Sequence, residues 1–213
     1  MMEAADLTRD DAPDEKHAAI VEAARRVFLA KGFAGASMDE IASEAAVSKR
    51  TVYNRFQSKD ALFEAVIITF CGRFLAILDV GFTGERSIRE ELTATACDFL
   101  REATKPESIA LRRITAFESV RFPELGRAYL DNGMFRLIGA LEPHMRALAD
   151  AGVLVIDDVP RAIMHLGALI TEPLETKLSM GAEPDDLEEA IDIQVRTGVD
   201  VFLKAYGGPN LVD

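Results

Sequence analysis

Apolar residues recur at three- and four-residue spacing through nearly the whole of this 213-residue chain, and nowhere do they alternate as a half-buried strand requires. A chain patterned in this way can bury its apolar surface only by packing helix on helix. The expected class is therefore all-α, with about nine or ten helices. Hydrophobic residues make up 49% and charged residues 28%, which is enough apolar surface for a sizeable core and too much for a disordered chain.

The punctuation of that pattern sets the expected elements. A first helix runs over about Asp14–Lys31, with the stripe Ile20, Ala24, Val27 and Phe28 and with Gly32 just past its end. Ser37 caps a second, about Met38–Ala45, and Glu40 stands where a capping box needs it. Ala46 and Val47 make a turn, and Ser48 caps a short third helix ending near Phe56. Ser58 caps a fourth, about Lys59–Val80. That helix is apolar on almost every face, through Leu62, Phe63, Val66, Ile67, Phe70, Phe74, Leu75 and Leu78, and so is predicted to be sandwiched between other elements.

After a loop at 81–86, helices are expected at about Ser87–Thr104 and Pro106–Arg121. Next comes one broken into about Pro123–Asp131 and Gly133–Ala151, with a kink at Pro143. Asp157 and Asp158 cap a helix predicted over about Val159–Met180. The last spans about Pro184–Tyr206, with Asp185, Asp186, Glu188 and Glu189 at its positive end. The layout is an acidic tail at 1–13, expected to be flexible, a small helical module at 14–58 and a larger one at 59–213.

Two short helices joined by a tight turn, inside four helices in about 65 residues, form a helix-turn-helix arrangement. Ile41, Ala42, Ala45, Val47 and Val52 point inward and fix the angle between the two helices. The third helix then presents Lys49, Arg50, Thr51, Asn54 and Arg55, side chains able to bond phosphates and base edges, with the helix start at Ser48 beside them. An amphipathic helix with a solvated basic face fits the same pattern. The net charge of −12 opposes nucleic acid at first sight, yet residues 14–60 hold eight cations against seven acids. Val47–Lys59 holds four cations and no acid, and screening over about 8–10 Å lets such a face act locally.

The stretch from Ser37 to Phe63, and above all VSKRTVYNRFQSKDALF, resembles the N-terminal domain of the TetR/AcrR family of transcriptional regulators. The resemblance covers roughly residues 15–65. It implies a homodimer whose N-terminal domains bind a palindromic, double-stranded operator. It also implies a C-terminal domain that binds a small-molecule effector and dimerises, with repression the commoner output. By the same resemblance Ser37 and Met38 fall where the family's second helix meets phosphate, Met38 standing where Thr is common. Ser48, Lys49, Arg50, Thr51, Asn54 and Arg55 fall on or beside base-reading positions. Arg55 replaces a common His, which favours guanine. Tyr53 and Lys59 match phosphate clamps, although a core aromatic and a solvated lysine fit those two positions as well. Ala46 replaces a frequent turn Gly, at a cost of roughly 1 kcal/mol if the turn needs a positive φ.

The segment Phe117–Tyr129 looks like the effector domain of an AcrR-like subgroup. Phe70, Phe74, Phe99, Phe117, Phe122, Met134 and Phe135 are candidates to line an apolar pocket, although plain core packing is the commoner reason for any one of them. Glu118, His165 and Glu172 are candidate polar groups within it. In the last helix Leu187, Ile191, Val195, Gly198, Phe202 and Tyr206 recur as a stripe, which with Gly167 and Ala168 suggests an intersubunit four-helix bundle. Packing against the chain's own core is the other explanation of that stripe.

Other classes find little footing. Cys71 and Cys97 lie in apolar helical stretches, and His17, His144 and His165 are scattered without partners at metal-ligand spacing. There is no Gly-rich phosphate loop and no nucleophilic triad, so neither an enzyme nor a cofactor is expected. The N-terminus lacks a signal-peptide pattern, and the longest apolar run, around residues 65–70, is shorter than the ~18–20 residues of a span. The expectation is a cytoplasmic protein with no membrane partner.

Overall fold

The computed structural model describes residues 15–81 and 86–211. The acidic segment 1–13 and most of the expected loop at 81–86 therefore lie outside the described residues. The helices are α1 (Glu15–Gly35), α2 (Met38–Glu44), α3 (Lys49–Arg55), α4 (Lys59–Gly81), α5 (Ile88–Ala103) and α6 (Pro106–Glu118). They continue with α7 (Pro123–Tyr129), α8 (Phe135–Asp150), α9 (Val159–Thr171), α10 (Leu174–Ser179) and α11 (Leu187–Tyr206). The chain divides into two compact units, and the division falls inside α4, between Val66 and Ile67.

In the first unit α1 packs on α2 and α2 on α3. Gly32 takes φ 71, a value open to a residue without Cβ, and turns the chain so that Phe33 folds back. The rings of Phe28 and Phe63 lie 5.2 Å apart edge to face, and those of Phe33 and Phe63 5.4 Å apart. Because Phe63 belongs to this cluster, the first turns of α4 belong to this unit, and the division comes later than residue 58. Lys59 donates from Nζ to the carbonyl oxygens of Phe33 (2.7 Å) and Ala36 (2.9 Å), tying the start of α4 to the α1–α2 connection.

In the second unit α11 lies against α9 and α5, α8 against α9, and α10 against α6. Gly198 permits the close approach of α11 to α9. A Cβ there would stand 2.5 Å from the carbonyl oxygen of Leu169, so α11 can reach α9 only because this residue has no side chain.

Four expectations need correction. First, α4 is buried along one broad stripe that includes Leu62, Val66, Phe70 and Phe74, while Ile68 and Ala76 are exposed. Covering one stripe is enough for a helix with this pattern, and it is not enclosed on all sides. Over Lys59–Asp79 it is also long and apolar enough to cross a membrane, with mean hydropathy 2.0. The short apolar run around residues 65–70 understates this. Second, residues 123–150 are not broken. A π turn at Leu130–Met134 joins α7 to α8, and Gly133 is buried there, where a Cβ would sit 3.2 Å from Cys71 Sγ. Gly133 thus serves close packing against α4.

Third, the helix expected over 159–180 stops at Thr171 and resumes as α10, because Pro173 cannot donate the hydrogen bond that continuation needs. Gln194 Nε2 donates to the freed carbonyls of Leu169 (2.7 Å) and Glu172 (2.5 Å). Fourth, Ile191, Val195, Gly198 and Phe202, expected at a dimer interface, are buried inside the chain against its own helices. Of the proposed interface residues Leu187 is exposed, while Gly167 and Tyr206 are half-buried. Periodicity marks a stripe as buried without saying against what.

Gly198→Ala should lower stability by about 1–3 kcal/mol, because the new methyl meets backbone that cannot rotate away. Thermal unfolding should register this as a drop of several degrees, of order 2–4 °C per kcal/mol for a chain this size.

Candidate functional site

Local hydrogen bonds set the α2–turn–α3 geometry. The Ser37 side chain accepts from Glu40 N (3.2 Å) while the Glu40 carboxylate accepts from Ser37 N (3.2 Å), the reciprocal capping box. Lys31 also bonds Glu40, and this ammonium, ahead of the Ser37 contacts, holds the Glu40 carboxyl below its usual range. Between the helices Val47 N donates to Ala42 O at 3.0 Å, and Ala46 takes φ 52. Ser48 Oγ accepts from Thr51 N at 3.1 Å, starting α3. Val52, with no exposure, and the buried Phe56 fasten α3 to the unit's core, and His17 of α1 stacks on Phe56 at 4.9 Å.

The rest of α3 faces outward. Ser37, Ser48, Lys49, Arg50, Asn54 and Arg55 are exposed, Thr51 is half-buried, and Tyr53 at 52% exposure is not a core aromatic. Lys49 is bound to Asp39 at 2.5 Å, but both side chains are more than half exposed. Such a pair is worth at most about 1 kcal/mol and can be exchanged for a phosphate. Two expected contacts are placed otherwise. Met38 is buried in the core, so its side chain cannot reach a phosphate. Lys59 spends two of its three donors on the Phe33 and Ala36 carbonyls and sits over the Phe33 ring, which makes it a fastener of the loop.

The second unit contains a cavity of about 500 Å³ bounded by α4, α5, α6, α8 and α9. Phe70, Phe74, Phe99 and Met134 line it as expected. The other pocket candidates do not. Phe117 is 80% exposed, Phe135 is largely exposed, and Phe122 is half-buried with Arg121 over its ring. His165 Nδ1 shares a hydrogen bond with the Tyr206 hydroxyl at 2.6 Å, away from the cavity. Glu172 is exposed beyond the end of α9, and Glu118 is buried without lining the cavity.

The cavity's polar groups are ones the sequence reading missed. Arg112 Nη2 donates to Glu175 Oε1 at 2.6 Å, and Tyr129, Thr95 and Cys71 line the same space. Burial raises the Tyr129 hydroxyl and the Glu175 carboxyl above their ordinary values, more than the adjacent Arg112 lowers them. Burial also pushes the Cys71 thiol to about 11, so it stays protonated. A signal for Arg112 existed. It stands three residues from both Ile109 and Thr115, a charge on the buried stripe of α6. Among the described residues no group of three or more His, Cys, Asp or Glu side chains could hold a metal.

Residues 20–66 match the model for the tetR family of bacterial regulatory proteins, and residues 90–208 match the model for the AefR-like transcriptional repressor C-terminal domain. The chain belongs to the TetR family. It is therefore a helix-turn-helix transcriptional regulator and not an enzyme. The flavonoid-responsive regulator FrrA is 34% identical, with a TM-score of 0.78 over 92% of this chain and 98% of that one. A protein from Mesorhizobium loti MAFF303099, described as a TetR-family transcriptional regulator, has a TM-score of 0.83 at 25% identity over 93% and 100%. The regulator UidR of Escherichia coli K12 is 44% identical over 57 residues, so the match spans only 27% of this chain and 29% of that relative.

Ala46 is the sole non-glycine residue with positive φ among the described residues. Ala46→Gly should raise stability by about 0.5–1 kcal/mol, because relief of the left-handed strain exceeds the added chain entropy. Urea denaturation would measure it, and no gain would mean the turn holds Ala46 without strain.

Proposed function

We propose that the protein is a repressor that binds a palindromic operator as a homodimer and releases it when a small, largely apolar effector fills the cavity. In this reading the unit ending at Val66 binds DNA, the second unit binds effector and dimerises, and the protein works in the cytoplasm beside its operator. One observation carries it. α3 is anchored by Val52 and Phe56 on one side and offers Lys49, Arg50, Tyr53, Asn54 and Arg55 to solvent on the other. Ser37, Ser48 and Thr51 flank that face. That FrrA is named a flavonoid-responsive regulator supports a small-molecule effector, and the likeness to the C-terminal domain of AefR-like transcriptional repressors supports repression.

Two protomers must place their α3 helices in major grooves about 34–36 Å apart. Phe70, Cys71, Phe74 and Leu78 of α4 line the cavity, so a ligand presses on the helix whose first turn Lys59 fastens. A displacement costing only about 1.4 kcal/mol in the DNA-bound form weakens operator binding tenfold. The dimer face is the outward side of α11, where Ile193 is 58% exposed and Val201 44%, with the exposed Thr197 between them, and it continues to Met164 and Ala168 of α9 at the edge of the cavity.

Gel-shift titration against the DNA upstream of the protein's own gene tests the DNA reading. Arg50→Ala should weaken binding about 10- to 100-fold and flatten the salt dependence if the contact is to phosphate. Binding of neither variant nor wild type, at any salt concentration, would sink it. For the dimer, Ile193→Asp should give folded monomers in sedimentation analysis, whereas Val195→Asp should unfold the chain. A dimeric Ile193→Asp protein would place the interface elsewhere.

A further inference from the structure

Among the described residues two buried side-chain polar atoms make no hydrogen bond, Thr95 Oγ1 and Arg112 Nη1, and both belong to residues that line the cavity. Thr95 is 6% exposed. The remaining walls are almost wholly apolar, as at Phe70, Phe74, Leu137 and Leu141. A buried donor left unsatisfied is rare and costly in a native fold, and here two occur at one site.

Arg112 already has its counter-charge in Glu175 at 2.6 Å. The Tyr129 hydroxyl bonds the same guanidinium, so the polar set is charge-balanced, while Arg112 Nη1 makes no hydrogen bond within the chain. A ligand carboxylate would bring a second negative charge into apolar surroundings beside Glu175. A plain hydrocarbon would leave Nη1 unpaired. We propose that the cavity selects uncharged ligands carrying a carbonyl or hydroxyl oxygen on an apolar, aromatic-sized skeleton. Arg112 Nη1 and the Thr95 hydroxyl lie just beneath the cavity surface, and on turning into it they meet that oxygen and a second polar group of the ligand. This deepens the effector reading above and rests on it.

Three probes with one two-ring skeleton test the class by isothermal titration calorimetry: 4-hydroxybenzophenone, diphenylmethane and diphenylacetate. The ketone should bind wild-type protein most tightly. The double variant Arg112→Met/Glu175→Gln, which leaves no unpaired charge, should weaken the ketone about 10- to 100-fold and leave diphenylmethane unchanged. Thr95→Val, close in shape, should weaken the ketone alone by a smaller factor. Thermal melts establish that both variants fold.

An unchanged ketone affinity in the folded double variant overturns the proposal. So does diphenylacetate binding as tightly as the ketone, or failure of all three probes to bind. The effector reading is judged separately, by adding the bound ketone to the operator complex. Selectivity as expected with no loss of DNA affinity defeats that reading and leaves the ligand class standing.

Discussion

The contact between Gly198 and the Leu169–Ile170 backbone sets the geometry of the second unit. It lets α11 lie close on α9, and so draws Ile191, Val195 and Phe202 into the chain's own core. With α11 seated there, the inner face of α9 is free to wall the cavity through Ile163, Leu166 and Ile170. The outer faces of both helices remain uncovered. One missing side chain thus decides which residues are core, which line the cavity and which stay exposed.

How far the sequence was legible depends on the range of the signal. The capping box of Ser37 and Glu40 and the cap at Ser48 span three residues each, and both are present as read. The inward turn residues follow, because a short helix with one buried side chain, Val52, has little freedom in how it docks. The family resemblance rested on these same residues. Burial of Met38 was less legible, since a capping position next to Ser37 points outward or inward according to how the helix docks on α1.

Longer-range features escaped for physical reasons. The apolar stripe of α11 has the same period whether its partner is another subunit or α9. Arg112, Tyr129 and Glu175 come from three helices and meet only through the tertiary fold. Pro173 was a local signal passed over, and the stop it imposes is repaired by Gln194 from a different helix. Gly133 was read as a break and instead makes room for Cys71, with a π turn carrying the helix through.

The unpartnered Arg112 and Thr95 atoms have a thermodynamic consequence for binding. A donor without a partner in the chain, beside a cavity of about 500 Å³, gives a bound molecule a hydrogen bond to complete. Any molecule that completes the set stabilises the native state by mass action, about 2.7 kcal/mol at a hundredfold excess over its dissociation constant. Heat resistance then reports occupancy with no DNA present. A ligand of the cavity can be sought as whichever small molecule raises the melting temperature of the protein.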